Sequence, residues 1–362
     1  MVVPTFLMGC LPTYKQLGWS MTVLLVIGRL VQGLAVGGEL IGTFILTLES
    51  SYSRESQGFW GATTKATCFL GSAVGMFIVT LLRFYLTYEQ MLLWGWRIPF
   101  YLGIVFGAIG LYLRLQLQAD IKHENMIENL TTTPFMSIIS MHKLDLILVI
   151  VVTSFWVCSY YICCVWFSYF LSDPQLIGHN SIGGNGFFLT FGSVVTLVIL
   201  FPIAGLLADK LGAYLKDRNT GIRYTMILAT VLMMILILPA MYLLTNSNMV
   251  GVIFGLILIM IPIALFGACL PSFMLNRFSQ SIRYTSCGLA YNMSHAIFAS
   301  TASVICMLLL RSSKRQTYDT AITTLLKDSA YRPCYYLILI SIITLLSLAI
   351  VTPRLDKIRY HN

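Results

Sequence analysis

The chain has 362 residues, 57% of them hydrophobic and only 10% charged, with a formal charge of +9. Soluble domains carry about 25% charged residues, so this composition excludes a soluble globular protein. The basic balance needs no nucleic-acid partner, because Lys and Arg gather in the cytoplasmic loops of membrane proteins. Nine cysteines and five histidines show neither C-x-x-C nor H-E-x-x-H spacing, so no metal, disulfide framework or other cofactor is implied.

The first fourteen residues, MVVPTFLMGCLPTY, hold an apolar run about half as long as a spanning helix, which needs about 20 residues. Leu7-Met8-Gly9-Cys10 loosely resembles a lipoprotein cleavage box, but no basic region precedes it. The run is expected to be a partial N-terminal helix. Apolar segments then follow at 21–48, 59–86, 96–114, 144–171, 185–207, 222–244, 249–270, 284–310 and 333–352, nine full spans. The longest polar interruption, 115–143, divides them into an incomplete N-terminal lobe (1–114) and a six-helix C-terminal lobe (144–352). A short tail, 353–362, closes the chain. With the 49–58 loop in the cytoplasm, the larger share of Lys and Arg (Arg54, Lys122, Lys143, Lys210, Lys216 and Arg223 among them) falls on the cytoplasmic side. The C-terminus is then cytoplasmic.

Two charges interrupt the 21–48 span. On a helix at 100° per residue, Arg29, Gln32, Val36, Glu39 and Thr43 lie within an arc of about 80° and form a stripe roughly 21 Å long. A charge facing hydrocarbon costs at least ~2.5–3.5 kcal/mol, so this face is expected to meet protein or water. Gly33 with Gly37, and Gly38 with Gly42, have the small-xxx-small spacing that permits close helix packing. Lys65 adds a third charge on the next span, on a face shared with Gly58, Gly61, Ser72 and Gly75. Two readings stand open. Glu39 pairs with Lys65 or Arg29 as a structural ion pair, or it lines a proton or substrate pathway, since a low dielectric disfavours the charged form of a carboxyl. In the later spans, Trp156, Tyr160 and Phe167 share one helical face, and Gly288, Asn292, His295, Ala299 and Ser303 share another. Aromatic stripes pack cores, and they also attract cations.

Five stretches occur in order and with sensible spacing: GRLVQGLAVGGE (28–39), WGWRIPFYLG (94–103), GLYLR (110–114), GLLADKLG (205–212) and IRYTSCGLAYN (282–292). Together they resemble the metabolite–proton symporter branch of the major facilitator superfamily, most closely its osmoprotectant (proline and glycine betaine) symporters. The resemblance implies an all-α bundle of two lobes working by alternating access, with residues 1–14 as the second half of the third helix. It also implies a gating loop in which Gly205 permits tight packing, Asp209 accepts hydrogen bonds from a neighbouring helix N-terminus and Lys210 pairs across the cytoplasmic surface. This loop departs from the family pattern: Gly212 is followed by Ala213 and Tyr214 rather than two basic residues, and LKDRNTG reads as an insertion. Lys65 stands where such transporters favour an acid or glutamine.

The implied function is a proton-coupled secondary transporter of a small zwitterionic or organic-acid solute in the bacterial cytoplasmic (inner) membrane, not an enzyme. Its partners are solute, protons and lipid; its oligomeric state is not encoded legibly. Arg29, Gln32, Glu39, Lys65, Asn292 and His295 would form the proton or substrate pathway. Trp156, Tyr160 and Phe167 would offer an aromatic face to a betaine-like ammonium. The alternative is a shortened, non-transporting relative.

Overall fold

The computed structural model describes residues 1–49, 56–121, 142–172, 186–246, 248–311 and 331–350. Every regular element among them is helical. Hydrocarbon offers the backbone no water, so a spanning segment must satisfy its own N–H and C=O groups, and a helix does so. Among the described residues, nine helices are long and apolar enough to cross a membrane: Trp19–Glu49, Gln57–Tyr85, Gly95–Leu113, Lys143–Leu171, Phe188–Tyr214, Arg218–Thr245, Met249–Leu275, Arg283–Leu310 and Arg332–Ala349. They coincide with the nine runs read from hydropathy, and the all-α polytopic fold stands. Most of the 115–143 loop and the 353–362 tail lie outside the described residues.

In chain order the helices are α1 (Val2–Cys10), α2 (Tyr14–Leu17), α3 (Trp19–Val36), α4 (Glu39–Glu49), α5 (Gln57–Tyr85), α6 (Tyr88–Leu93) and α7 (Ile98–Ile121). After the inter-lobe segment come α8 (Lys143–Tyr160), α9 (Phe167–Ser172), α10 (Gly186–Tyr214), α11 (Arg218–Asn246) and α12 (Met249–Leu275). The last are α13 (Arg283–Ser294), α14 (Ser300–Arg311) and α15 (Arg332–Ile350). Single turns of π-helix, Tyr161–Trp166 and His295–Ala299, join α8 to α9 and α13 to α14. Between spans the turns carry their own chemistry. At Thr87, Gln90 returns its side chain to the capping backbone N–H at 3.0 Å, while the Gln90 N–H donates to the Thr87 hydroxyl at 3.3 Å, a reciprocal cap that satisfies two donors at once.

The chain forms two compact units, residues 1–42 with 74–134 and residues 43–73 with 135–362. This partition differs from a simple cut at 115–143, because the first half of α5 packs with the later helices. Within the first unit, α1 lies between α3 and α7. Tyr101 donates to the Gly9 carbonyl at 3.2 Å and Arg97 to the Leu11 carbonyl at 3.2 Å, so the exposed end of α1 is held by side chains of the α7 region.

Within the second unit, α12 is the central element and is buried along most of its length. It packs against α10 and α11, and Phe266 meets Phe155 of α8 at 4.5 Å between ring centroids. Large apolar side chains on the outer faces, such as Ile199 and Ile235, are exposed, as lipid contact requires. One close approach in this unit is between α5 and α10 at Gly58 and Gly205. A Cβ at Gly205 would stand 2.5 Å from the Gly58 carbonyl oxygen and 2.7 Å from Ala62 Cβ. Gly33, by contrast, is no packing seam among the described residues, since a Cβ there would meet nothing within 4 Å.

The Gly205→Ala protein should lose about 1–3 kcal/mol, the range for overpacking against atoms that cannot yield. Gly192→Ala, on the same helix with open space around it, should be neutral or gain up to ~1 kcal/mol from helix propensity. Thermal unfolding in detergent reads both, and equal melting temperatures would disprove the close approach.

Candidate functional site

The polar stripe of the first unit is a chain of hydrogen bonds. Arg29 donates to the Gln32 side-chain oxygen at 3.0 Å, Gln32 donates to the Thr5 hydroxyl at 2.9 Å, and Thr5 donates to the Met1 carbonyl at 2.9 Å. Arg29 therefore has a polar partner on its own helix, and Gln32 ties α3 to α1. The stripe does not ride on one uninterrupted helix. α3 ends at Val36, Gly37 and Gly38 form a turn, and Glu39 opens α4. Its carboxylate thus sits in the first turn of a helix, where the amide dipoles favour negative charge.

Lys65 lies on the buried side of α5, 3% exposed. Its Nζ stands 3.4 Å from the centroid of the Trp156 ring and 6.0 Å from that of Phe201. Among the described residues Nζ has no hydrogen-bond partner. Cation–π attraction over a desolvated Trp is worth ~2 kcal/mol or more, so the ring offsets part of the cost of burying Lys65 while its N–H donors stay unfilled. The surrounding rings hold one another in place. Trp156 and Tyr160, one turn apart on α8, lie nearly parallel with centroids 6.0 Å apart. Phe69 presents its edge to both, at 5.8 and 5.1 Å. Phe201 of α10 closes the group at 5.4 Å from Phe69 and 5.8 Å from Trp156.

Phe167 does not join them among the described contacts. The π turn after Tyr160 breaks the 100° register on which its alignment with Trp156 depended, and its ring instead meets Trp166 at 5.4 Å. Phe69 and Phe201 were not singled out from the sequence. Phe69 was within reach, four residues beyond Lys65 on the same helix face. Nothing local marks Phe201, which arrives from another helix.

On α13, Asn292 donates to the Gly288 carbonyl at 2.8 Å and is exposed. His295 bonds through Nδ1 to the Tyr291 carbonyl at 3.0 Å and lies over the Tyr291 ring at 4.1 Å. Tyr291 in turn lies against Trp156, which brings this helix to the aromatic group.

At one end of the second unit the 205–212 stretch, expected from the resemblance to be a gating loop, reaches across to α5. The Asp209 carboxylate accepts from the backbone N–H of Gly58 and of Phe59, each at 2.8 Å. These amides belong to the first turn of α5, whose donors have no partner within the helix. Gly205, one turn earlier on α10, allows the approach. Lys210 is exposed and Gly212 is buried against the start of α11. The LKDRNTG stretch is a tight turn: Lys216 takes a left-handed φ of 56°, and Asp217 accepts from the Asn219 and Thr220 amides at 3.2 Å each to cap α11.

A second set of contacts surrounds this latch. Glu49 of α4 forms a salt bridge with Arg283 of α13, Ser272 donates to the Gln57 carbonyl at 2.9 Å, and Asn276 donates to the Asn219 side chain at 2.9 Å. They rim an open cleft of about 220 Å³ lined by Leu48, Glu49, Gln57, Asn276, Gln280 and Arg283. Sequence reading passed over Glu49 and Arg283, although Arg283 lies inside the quoted IRYTSCGLAYN stretch.

Spanning helices, a charge held inside them and a carboxylate latch between helix ends define a polytopic membrane protein built around buried polar groups. The sequence model of the Major Facilitator Superfamily matches residues 1–303. The chain is 27% identical over 359 residues to the glycine betaine/proline/ectoine/pipecolic acid transporter OusA of Dickeya dadantii, covering 96% of this chain and 66% of that protein. It is 27% identical over 361 residues to the proline/betaine transporters of Salmonella typhimurium and of Escherichia coli K12, covering 96% of this chain and 66% of each of them. It thus spans about two thirds of the length of these relatives. This chain belongs to the Major Facilitator Superfamily, a family of transporters and not of enzymes.

Removing the latch carboxylate leaves two first-turn amides without their acceptor. Asp209→Ala should cost about 1.5–3 kcal/mol, the range for hydrogen bonds to a charged group. Lys210→Ala on the exposed side of the same turn should stay within about 0.5 kcal/mol. Unfolding curves in detergent decide it, and an unchanged Asp209→Ala protein would refute the latch.

Proposed function

We propose that this chain works as a secondary active transporter that moves a small zwitterionic or organic-acid solute by alternating access, together with protons. The observation that carries the proposal is the bond from Asp209 to the first amides of α5. One short carboxylate holds two helix ends together through backbone amides, a contact that can open and reform by exchanging one acceptor for another. A transporter that alternates between two states needs such a contact, and each state is favoured by its own set of interactions.

The solute class is supported by the relatives, whose names specify proline and betaines. The aromatic group of Trp156, Tyr160 and Phe69 supplies apolar faces, and Asn292 and Lys65 supply donors for a carboxylate. Glu39, at the start of α4, is the proposed proton carrier. Arg29 and Gln32, earlier on the same span, are its proposed polar companions, and His295 is proposed as a second titratable group. The proposed membrane is the bacterial cytoplasmic membrane, and the Lys and Arg bias of the loops favours a cytoplasmic C-terminus.

Uptake of labelled proline, glycine betaine and small organic acids into proton-energised vesicles tests the reading. The wild-type chain should accumulate at least one of them and lose accumulation when the gradient is collapsed. Glu39→Gln should reduce uptake by about 10²-fold or more, as expected for loss of a proton-transfer group. Undiminished uptake in the variant would remove Glu39 from the mechanism. No uptake of any solute by a folded, inserted chain would speak for the non-transporting alternative.

A further inference from the structure

Lys65 is more than 90% buried, and its three N–H donors have no acceptor among the described residues. The ammonium is set over the Trp156 ring, 3.4 Å from its centroid and 6.0 Å from that of Phe201, and these two rings are locked together with Tyr160 and Phe69 by ring contacts. Such a group is a ready-made receptor for an ammonium ion, because each ring face is negative and the rings need not move to receive the charge. In this protein the receptor is already filled by a cation fixed to α5. A tethered group competes at a high effective concentration. A second cation would also face like-charge repulsion in a medium of low dielectric.

The same arrangement favours a ligand of opposite sign. Burying a charge is costly unless it is paired and hydrogen-bonded, and the ring satisfies the charge of Lys65 without satisfying its donors. A carboxylate would do both. Two of the four rings, Phe69 and Tyr160, are only half-buried, whereas the Lys65 Nζ itself is buried. Cys68, one turn beyond Lys65, is exposed, and so is Asn292 on the helix whose Tyr291 lies against Trp156.

We propose that Lys65 is the resident cation of the aromatic box and turns it into a site for a small carboxylate that carries no ammonium group of its own. The solute is thus an aliphatic organic acid rather than a betaine. This rests on the reading of the aromatic group as the solute site. Lys65 is the specificity-determining residue: the carboxylate docks on its ammonium and the apolar body lies on Tyr160 and Phe69.

The test uses two probes of the same shape that differ by one charge, glycine betaine and its carbon analogue 3,3-dimethylbutanoate. Each is titrated into the purified full-length chain in detergent by calorimetry. The wild type should bind dimethylbutanoate at least about tenfold more tightly than betaine, the ratio set by one lost cation–π contact and a like-charge neighbour. Lys65→Gln and Lys65→Met, checked for folding by their melting temperatures, should invert that order. A wild-type preference for betaine would overturn the proposal, as would an unchanged ratio in the variants or no binding of either probe. The wild-type ratio is decisive even if both variants fail to fold. Binding of dimethylbutanoate without its uptake in energised vesicles would sink the transport reading and leave this one standing, whereas uptake with a betaine preference would do the reverse.

Discussion

A peptide group in hydrocarbon has no water to turn to, and every helix in this chain answers that constraint. Inside a helix the answer is automatic, so the interior of each span can be spent on Leu, Ile, Val and Phe. At helix ends it is not automatic, because the first amides and last carbonyls have no partner within the helix. The structure meets that need with side chains from elsewhere. Asp209 takes the first amides of α5, Tyr101 and Arg97 donate to the Gly9 carbonyl of α1 and the Leu11 carbonyl just past its end, and Asp217 caps α11. The ends of helices are therefore where the tertiary contacts become specific, and the latch proposed for transport is one of them.

Charges obey the same constraint more severely. Arg29 meets it with Gln32 and, through Gln32, with Thr5 of a different helix. Lys65 meets it with the face of Trp156. The two solutions differ in consequence. A hydrogen-bonded chain satisfies donors and acceptors together, whereas an aromatic face attracts an ammonium and leaves its donors unfilled. The second leaves a site with chemical appetite, and it singles out Lys65 among the charges of the spans.

Much of the architecture was legible in the order of residues. Nine apolar runs of sufficient length admit no other backbone arrangement in lipid than helices, and their limits were read to within four residues except at 207 and 270, where the helices run on to Tyr214 and Leu275. The alignment of Trp156 with Tyr160 was also legible, since four residues is about one turn. Phe167 was misjudged because the same arithmetic was carried through a π turn, which hydropathy does not mark. The stripe from Arg29 to Glu39 was carried through Gly37 and Gly38 in the same way, where the structure ends one helix and starts another.

What composition and periodicity establish here depends on solvent and on neighbours along one helix: a membrane-spanning all-α chain, the positions of its spans, and three charges on them, of which the structure buries Lys65 and leaves Arg29 and Glu39 exposed. Which partner each charge takes is a different kind of question. Trp156 lies 91 positions from Lys65 and Asp209 lies 151 from Gly58, and no local pattern encodes separations of that size. Those pairings came from packing, because helix faces are matched by shape and by the closeness that glycines such as Gly58 and Gly205 permit.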